Sequence, residues 1–361
     1  MVENTTVLTH KCPNCAGALT FNPTDQKFHC EYCLSVFSEQ EVSKFEEKQA
    51  SVASTSQQEV PKDTDGDGVD DIGLFICPNC AAQIVTETTT AATTCYFCHN
   101  PVVLNERLSG EFLPEKVIPF LIDKKEAEKK FLEWTAKKRF VPKAFFNKEQ
   151  IKNLTGVYFP YFLVDSKLHG SMKAKGVRIR SWVVGDIEYT ETKQYRIYRE
   201  GDMTFFDLVK NALRKNTTQK MVTGVQPFDF DRAIPFKNQY LAGFQAEKRD
   251  LEFSDLKEEI DHELKEYGTS LLREEISGYT TVSNVTSSLE LVDQQNSYVL
   301  LPVWLVTYRD RGSDTLYYYA MNGQTGKTSG VLPISRGKLA QAGILIFILV
   351  LILALIGGWF I

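Results

Sequence analysis

Every cysteine in this chain belongs to a C-x2-C pair, and the pairs repeat. Cys12-Pro13-Asn14-Cys15 is followed by Cys30-Glu31-Tyr32-Cys33, and Cys77-Pro78-Asn79-Cys80 by Cys95-Tyr96-Phe97-Cys98, the second set displaced from the first by 65 residues. A C-x2-C knuckle presents two thiolates from one tight turn. Two knuckles therefore supply the four ligands of a tetrahedral site, at the short end of zinc-ribbon spacing. Two structural Zn2+ ions are expected, one held by Cys12, Cys15, Cys30 and Cys33 and one by Cys77, Cys80, Cys95 and Cys98. Modules this small cannot bury a core of their own, so metal should supply most of their folding free energy and its loss should unfold them. His10, His29 and His99 stand beside the knuckles and read as loop residues, because each site already has four thiols.

The opposite end is equally constrained. Residues 342–361 (AGILIFILVLILALIGGWFI) carry no charge, and a helix of that length, at about 1.5 Å per residue, covers the roughly 30 Å hydrocarbon layer. Arg336 and Lys338 precede the span and no basic residue follows it. The positive-inside rule then places the preceding domains in the cytoplasm, and two thiolate tetrads also suit a reducing compartment. The N-terminal MVENTTVLTHK has no apolar run of the kind a secretory signal needs. The expectation is a single-pass cell-membrane protein, tail-anchored through residues 342–361.

Charge is distributed unevenly. Residues 1–105 hold 5 Lys and Arg against 14 Asp and Glu, whereas residues 106–335 hold 34 against 32. Ribbons that bind nucleic acid neutralise phosphates with Lys and Arg. Residues 71–105 contain neither, and the first ribbon has only Lys11 and Lys27. An unidentified protein partner is therefore the leading expectation, in an adaptor or scaffold role, with nucleic-acid binding as the alternative. Ser38 and Glu41 have capping-box spacing and predict a helix from Ser38 to about Ala50. The following SVASTSQQEVPKDTDGDGVDD is polar and reads as a flexible linker. Within it Asp63, Asp65, Asp67 and Asp71 match the opening of a Ca2+ loop, but the twelfth position is Leu74 where a bidentate Glu belongs. The string reads as an acidic spacer, with Ca2+ binding as the alternative.

The fold class expected is α+β and multidomain: ribbon 1 over residues 1–37, helix and linker over 38–72, ribbon 2 over 73–105, a larger domain with antiparallel strands over 106–335, and the transmembrane helix. In the larger domain Asp123 and Glu126 open a helix with Ala127, Phe131 and Trp134 on one face. Strands are expected at 156–164, 177–184, 187–199, 203–209, 298–308 and 315–321, with Gly185-Asp186 and Gly201-Asp202 as turns. A second helix from Ser254 to Ile276 should face inward with Leu256, Ile260, Leu264, Tyr267 and Leu271 and stop at Gly278. Ile118-Pro119-Phe120 followed by Pro160-Tyr161 parallels Ile234-Pro235-Phe236 followed by Pro302-Val303, the pattern of a two-half duplication. Asn322-Gly323-Gln324-Thr325-Gly326-Lys327-Thr328 lacks the first glycine of a phosphate loop and reads as a hairpin turn with positive φ at Asn322-Gly323. No nucleophile pairs with a base, His169 and His262 read as structural or surface residues, and both metal sites are closed. Neither enzymatic activity nor a small-molecule substrate is expected.

The CPNC knuckles, Val117-Ile118-Pro119-Phe120 with its lysine-rich helix and Trp134, Gly156-Val157-Tyr158-Phe159-Pro160-Tyr161, Tyr240-Leu241-Ala242-Gly243-Phe244, Leu301-Pro302-Val303-Trp304 and Met321-Asn322-Gly323-Gln324-Thr325-Gly326-Lys327 together resemble a bacterial family. It is the TFIIB-type zinc ribbon-containing proteins typical of Gram-positive bacteria, sometimes mislabelled as the primosomal helicase PriA. The resemblance spans about residues 75–335 and implies zinc and a shared α+β domain, without an established activity. No helicase motor motif accompanies it.

Overall fold

The computed structural model describes residues 7–53, 72–142, 153–214, 222–309 and 315–359. The chain gathers into two compact units, one of Met1–Pro160, Lys215–Lys248 and Leu300–Ile361, the other of Tyr161–Arg214 and Arg249–Val299. Both ribbons lie in the first.

After β1 (Val7–Leu8), ribbon 1 is a three-stranded antiparallel sheet of β2 (Leu19–Asn22), β3 (Lys27–Cys30) and β4 (Val36–Phe37). Helix α1 (Glu39–Ala53) leaves it through the expected capping box: the Ser38 N–H donates to the Glu41 carboxylate at 2.7 Å and the Glu41 N–H to Ser38 Oγ at 3.4 Å. Ribbon 2 is two hairpins, β5 (Ile72–Ile76) with β6 (Gln83–Glu87) and β7 (Thr90–Thr94) with β8 (Pro101–Leu104). Then come β9 (Lys116–Val117) and α2 (Lys124–Ala136), whose N-cap Asp123 accepts from the Glu126 N–H and which buries Ala127, Phe131 and Thr135.

The remaining elements are β10 (Thr155–Val184), β11 (Ile187–Asn211), β12 (Ile234–Pro235), β13 (Gln245–Glu247), α3 (Phe253–Glu274), β14 (Thr281–Arg309), β15 (Leu316–Asn322), β16 (Thr328–Val331) and α4 (Arg336–Trp359). In the first unit β1, β8, β7 and β13 pair in that order, antiparallel throughout, and β13 continues in parallel onto the start of β10 at Val157 and Tyr158. The C-terminal part of β14 forms an antiparallel meander with β15 and β16. The two Ile-Pro-Phe segments are neighbours here, with Ile234 opposite Val117 and Pro235 opposite Lys116.

The core of this unit is aromatic. Phe120 stacks on Phe244 at 4.3 Å between centroids, Tyr158 and Trp304 meet Phe120 edge-on, and the Trp304 indole N–H donates to the Ile122 carbonyl. Phe120 also explains a glycine: a Cβ on Gly323 would lie 2.5 Å from its ring. The turn at 322–327 is a hairpin as expected, but its positive φ is at Gly326 (77°). Asn322 instead uses its side-chain oxygen to accept from the Gln324 and Thr325 N–H groups, holding the turn without a left-handed backbone of its own.

The ribbons are not free heads. Phe21 and Phe28 of ribbon 1 pack against Tyr240 at 5.4 and 6.2 Å, the Phe21 N–H donates to the Ala242 carbonyl, and Gln26 reaches the Phe120 carbonyl. Ribbon 2 is joined through its backbone, β7 pairing with β13. The expectation that a ribbon cannot bury a core of its own needs correction for ribbon 2, which encloses Phe75, Ile84, Val102 and Leu104 with Cys77 and Cys95, whereas ribbon 1 shares the aromatic core of the unit.

In the second unit β10 and β11 form one long antiparallel hairpin, with Val184 opposite Ile187 around the expected Gly185-Asp186 turn. Gly201-Asp202 is not a turn; both residues stay in β11, opposite Gly170 and His169. Gly170 and Gly176 have no room for a Cβ, being pressed by Met203 and Tyr279. Helix α3 buries Ile260, Leu264, Gly268 and Leu272, whereas Tyr267 and Leu271 are exposed. The inward stripe shifts by one residue in the second half because Gly268 admits Leu289, which would lie 2.3 Å from an added Cβ. The helix ends before Gly278 (φ 81°), as expected.

Candidate metal centres

All four knuckles share one backbone solution. The N–H of the residue after the second cysteine donates to the carbonyl of the first, from Ala16 to Cys12, Leu34 to Cys30, Ala81 to Cys77 and His99 to Cys95, each at 2.9 Å. Each of those donors is left-handed, with φ between 56° and 59°. None is glycine. Left-handed backbone at a residue with a Cβ costs free energy, and its fourfold recurrence shows that the fold compensates for it at the sites that aim the thiols. The first cysteine's N–H donates to the carbonyl of the residue immediately after the left-handed one, Gly17, Ser35, Ala82 and Asn100 in turn.

These turns bring the predicted ligands together. Cys12, Cys15, Cys30 and Cys33 form one cluster and Cys77, Cys80, Cys95 and Cys98 another, each with its sulfurs within 4.8 Å of one another. The shortest separations are Cys15–Cys30 at 3.4 Å, Cys12–Cys33 at 3.5 Å, and Cys77–Cys98 and Cys80–Cys95 at 3.7 Å. Four sulfurs at about 2.3 Å from a tetrahedral ion lie about 3.8 Å apart. No cysteine is in a disulfide. The two groups could thus each hold one metal ion, and their dimensions are consistent with zinc.

Electrostatics point the same way. The Ser35 hydroxyl and backbone N–H pull Cys33 down to about 6. In ribbon 2, burial opposes ionisation of Cys98, but hydrogen bonds from the Asn79 side chain and the Asn100 backbone outweigh it and bring the thiol to about 6. Burial pushes Cys12 and Cys77 up. Cys15 and Cys80 rise to about 12: the backbone bonds at Gly17 and Ala82 favour their thiolates, but neighbouring cysteines and desolvation outweigh them. One thiolate per cluster forms readily, at Cys33 and at Cys98, whereas Cys12, Cys15, Cys77 and Cys80 resist a further negative charge. A bound dication removes that conflict.

No histidine enters either cluster. His10 is buried and bonds Glu46 through Nδ1 at 2.6 Å, and His29 meets Asp25 at 2.7 Å. His99 serves as the left-handed residue of its knuckle. His169 lies between Asp202 (2.7 Å) and Glu200 (3.2 Å), which raise its pKa, and His262 is exposed on α3. Asp63, Asp65, Asp67 and Asp71 lie outside the described residues. What sequence reasoning missed is exposed on the knuckles: Tyr32 (75%) and Leu34 (81%) on ribbon 1, Tyr96 (68%) and Phe97 (69%) on ribbon 2. A signal for them exists in the chain, since Tyr32 and Phe97 are equivalent at the 65-residue offset.

At the other end, α4 is long and apolar enough to cross a membrane, and none of Arg336–Leu353 is buried. Fold and site define a mixed α+β protein with two four-cysteine clusters that could each hold a metal ion and one apolar C-terminal helix. The chain is 33% identical over 263 residues to the uncharacterized protein YdjG of Bacillus subtilis (strain 168), covering 72% of this chain and 76% of that protein. It belongs to the YdjG family. No family profile matches the chain and no solved structure matches it.

Proposed function

We propose that this is a membrane-anchored adaptor whose two structural zinc ribbons, of the TFIIB type, present apolar knuckle tips to a protein partner. The observation that carries the reading is the pairing of closed four-cysteine clusters with exposed Tyr32, Leu34, Tyr96 and Phe97. Four thiols per ion leave no open coordination position for chemistry. A large apolar side chain held in water on a metal-rigidified turn suits a contact surface. The absence of Lys and Arg from residues 71–105 favours protein over nucleic acid. In this reading α4 spans the cell membrane, and Arg336 and Lys338 keep the ribbons on the cytoplasmic side.

The test is a photo-crosslinking residue placed at Phe97 in the full chain in its native membrane. A discrete protein adduct is expected, lost in Tyr96→Ser/Leu34→Ser while two zinc ions per chain are retained. Crosslinking to nucleic acid alone, with steeply salt-dependent retention on DNA or RNA, would overturn the reading. So would fewer than one zinc ion per purified chain. Protease digestion of the ribbons from outside intact spheroplasts would overturn the cytoplasmic placement.

A further inference from the structure

Two basic segments nearly 200 positions apart in sequence meet where α4 begins. Lys137-Lys138-Arg139 follows α2, and Arg336 and Lys338 lie in the first turn of α4. The Ser335 N–H donates to the Phe140 carbonyl at 2.6 Å and Lys338 Nζ to the Val141 carbonyl at 2.7 Å, so hydrogen bonds to backbone carbonyls fix one segment on the other. Between them lies an open pocket of 530 Å³. Its apolar wall is Trp134, Phe140, Leu332, Pro333, Ile334 and Leu339, and Lys137, Lys138 and Arg139 form its rim. Trp134 is held by Tyr319 at 5.1 Å and carries Lys138 Nζ 5.2 Å above its ring, and Gly330 leaves the space beside it.

Two properties define the occupant. The first is charge: neither 137–142 nor 330–341 contains Asp or Glu, and Lys137, Lys138, Arg139, Arg336 and Lys338 form no ion pair among the described residues, so the two segments are cationic, the nearest carboxylate along the chain being Glu133, one turn before Lys137 and set against Lys129. The second is amphipathy. Phe140 (39% exposed), Ile334 (65%) and Leu339 (51%) surround the opening, continuous with the exposed apolar residues of α4 from Ile344 onward. An acidic peptide would answer the cations and leave those side chains in water. An anionic phospholipid answers both, its phosphate at the lysine and arginine rim and its acyl chains along α4. Basic clusters and pockets beside a membrane helix act in this way, and Trp suits the interfacial depth.

We propose that this pocket binds the headgroup of an anionic phospholipid from the leaflet that α4 enters. The inference rests on α4 spanning the membrane, and the experiment separates the two. The full chain carrying Trp182→Phe is placed in phosphatidylcholine nanodiscs doped with brominated phosphatidylglycerol or brominated phosphatidylcholine. Trp304 is buried in the aromatic core and contributes a constant background. In a Trp359→Phe background Trp134 reports the pocket, and in a Trp134→Phe background Trp359 reports insertion. Trp134 should be quenched by the anionic lipid at a mole fraction at least about tenfold lower than by the zwitterionic one. Lys137→Gln/Lys138→Gln/Arg139→Gln should abolish that preference and Lys137→Arg/Lys138→Arg should keep it. If the triple variant fails to fold, as judged by zinc content, Lys137→Gln alone should lower the preference. Equal quenching by both lipids, or a preference that survives neutralisation, overturns the inference while Trp359 quenching upholds the span. Loss of the preference on adding inorganic phosphate overturns the lipid assignment. Trp359 unquenched by either lipid overturns the span and the inference with it.

Discussion

Ribbon 1 and ribbon 2 carry the same four-cysteine chemistry and are held to the molecule in different ways. Their knuckles have the same left-handed residue, the same backbone bonds and the same pairing of first with fourth and second with third cysteine. Ribbon 1 is attached chiefly by side chains: Phe21 and Phe28 against Tyr240, Gln26 on the Phe120 carbonyl, Glu39 of α1 on Lys237 and Glu46 on Gln239. Its main-chain links are the Phe21 N–H on the Ala242 carbonyl and the two-residue β1 on β8. Ribbon 2 is attached by main chain, β7 on β13, and closes its own small core around Phe75 and Ile84. A metal knuckle therefore specifies only its own few residues. What surrounds it decides whether the module depends on its neighbours, because a few strands bury little apolar area unless they close a cluster of their own, as ribbon 2 does, or share a neighbour's, as ribbon 1 does.

The largest test of this contrast is metal removal. Cys12→Ser/Cys15→Ser and Cys77→Ser/Cys80→Ser should each lower zinc from two ions to one. Structural zinc contributes on the order of 10 kcal/mol to a ribbon, so each altered ribbon should lose hydrogen-exchange protection. Loss of ribbon 1 should also expose the face of Tyr240 and Phe244, whereas loss of ribbon 2 should unpair β13. If either lesion spreads to the other ribbon, the two attachments are not independent.

Core truncation comes next. Phe21→Ala should cost about 3 to 5 kcal/mol and Ile84→Ala about 2 to 5 kcal/mol, read by chemical denaturation of the chain in detergent. Phe21→Ala should loosen ribbon 1 and the aromatic core together. Ile84→Ala should loosen ribbon 2 and leave Phe120 and Phe244 protected.

Asp123 gives a smaller, one-sided effect. It caps α2 and also accepts from Thr24 Oγ1 in the ribbon 1 turn at 3.2 Å. Asp123→Ala should cost about 1 kcal/mol and speed amide exchange at Thr24 and Glu126 without changing ribbon 2.

The smallest effect depends on pH. Against the cost of its own partial burial, hydrogen bonds from Lys237 and Ser43 hold the Glu39 carboxyl below the usual carboxylate range. A depressed folded pKa contributes stability fully present above the unfolded value of about 4.3 and lost as pH falls through the lower folded value. Glu39→Gln should therefore weaken α1 docking by less than about 1 kcal/mol at neutral pH, since the pair is partly exposed. The difference from wild type should vanish on acidification. Amide exchange along α1 reads both, and an equal effect on ribbon 2 would contradict side-chain attachment.

Much of the candidate site is legible in the sequence alone. C-x2-C spacing is local chemistry, so the eight cysteines and their grouping into two fours follow from position. The caps at Ser38 and Asp123 and the stop at Gly278 are local too, and they stand where expected. Sequence reasoning fails where a residue's role depends on something distant. Gly201 reads as a turn until Gly170 is opposite it, Leu271 reads as inward until Gly268 admits Leu289, and Gly323 reads as a positive-φ residue until Phe120 fills the space.

The sequence by itself determined the four-cysteine clusters, the helix starts and an apolar C-terminal helix, because thiol spacing, capping and hydropathy act over a few residues. Only the tertiary structure decided that the two ribbons are fastened differently and that Lys137-Lys138-Arg139 stands beside Lys338. Those outcomes depend on which distant surfaces can exclude water together, and no local pattern encodes that.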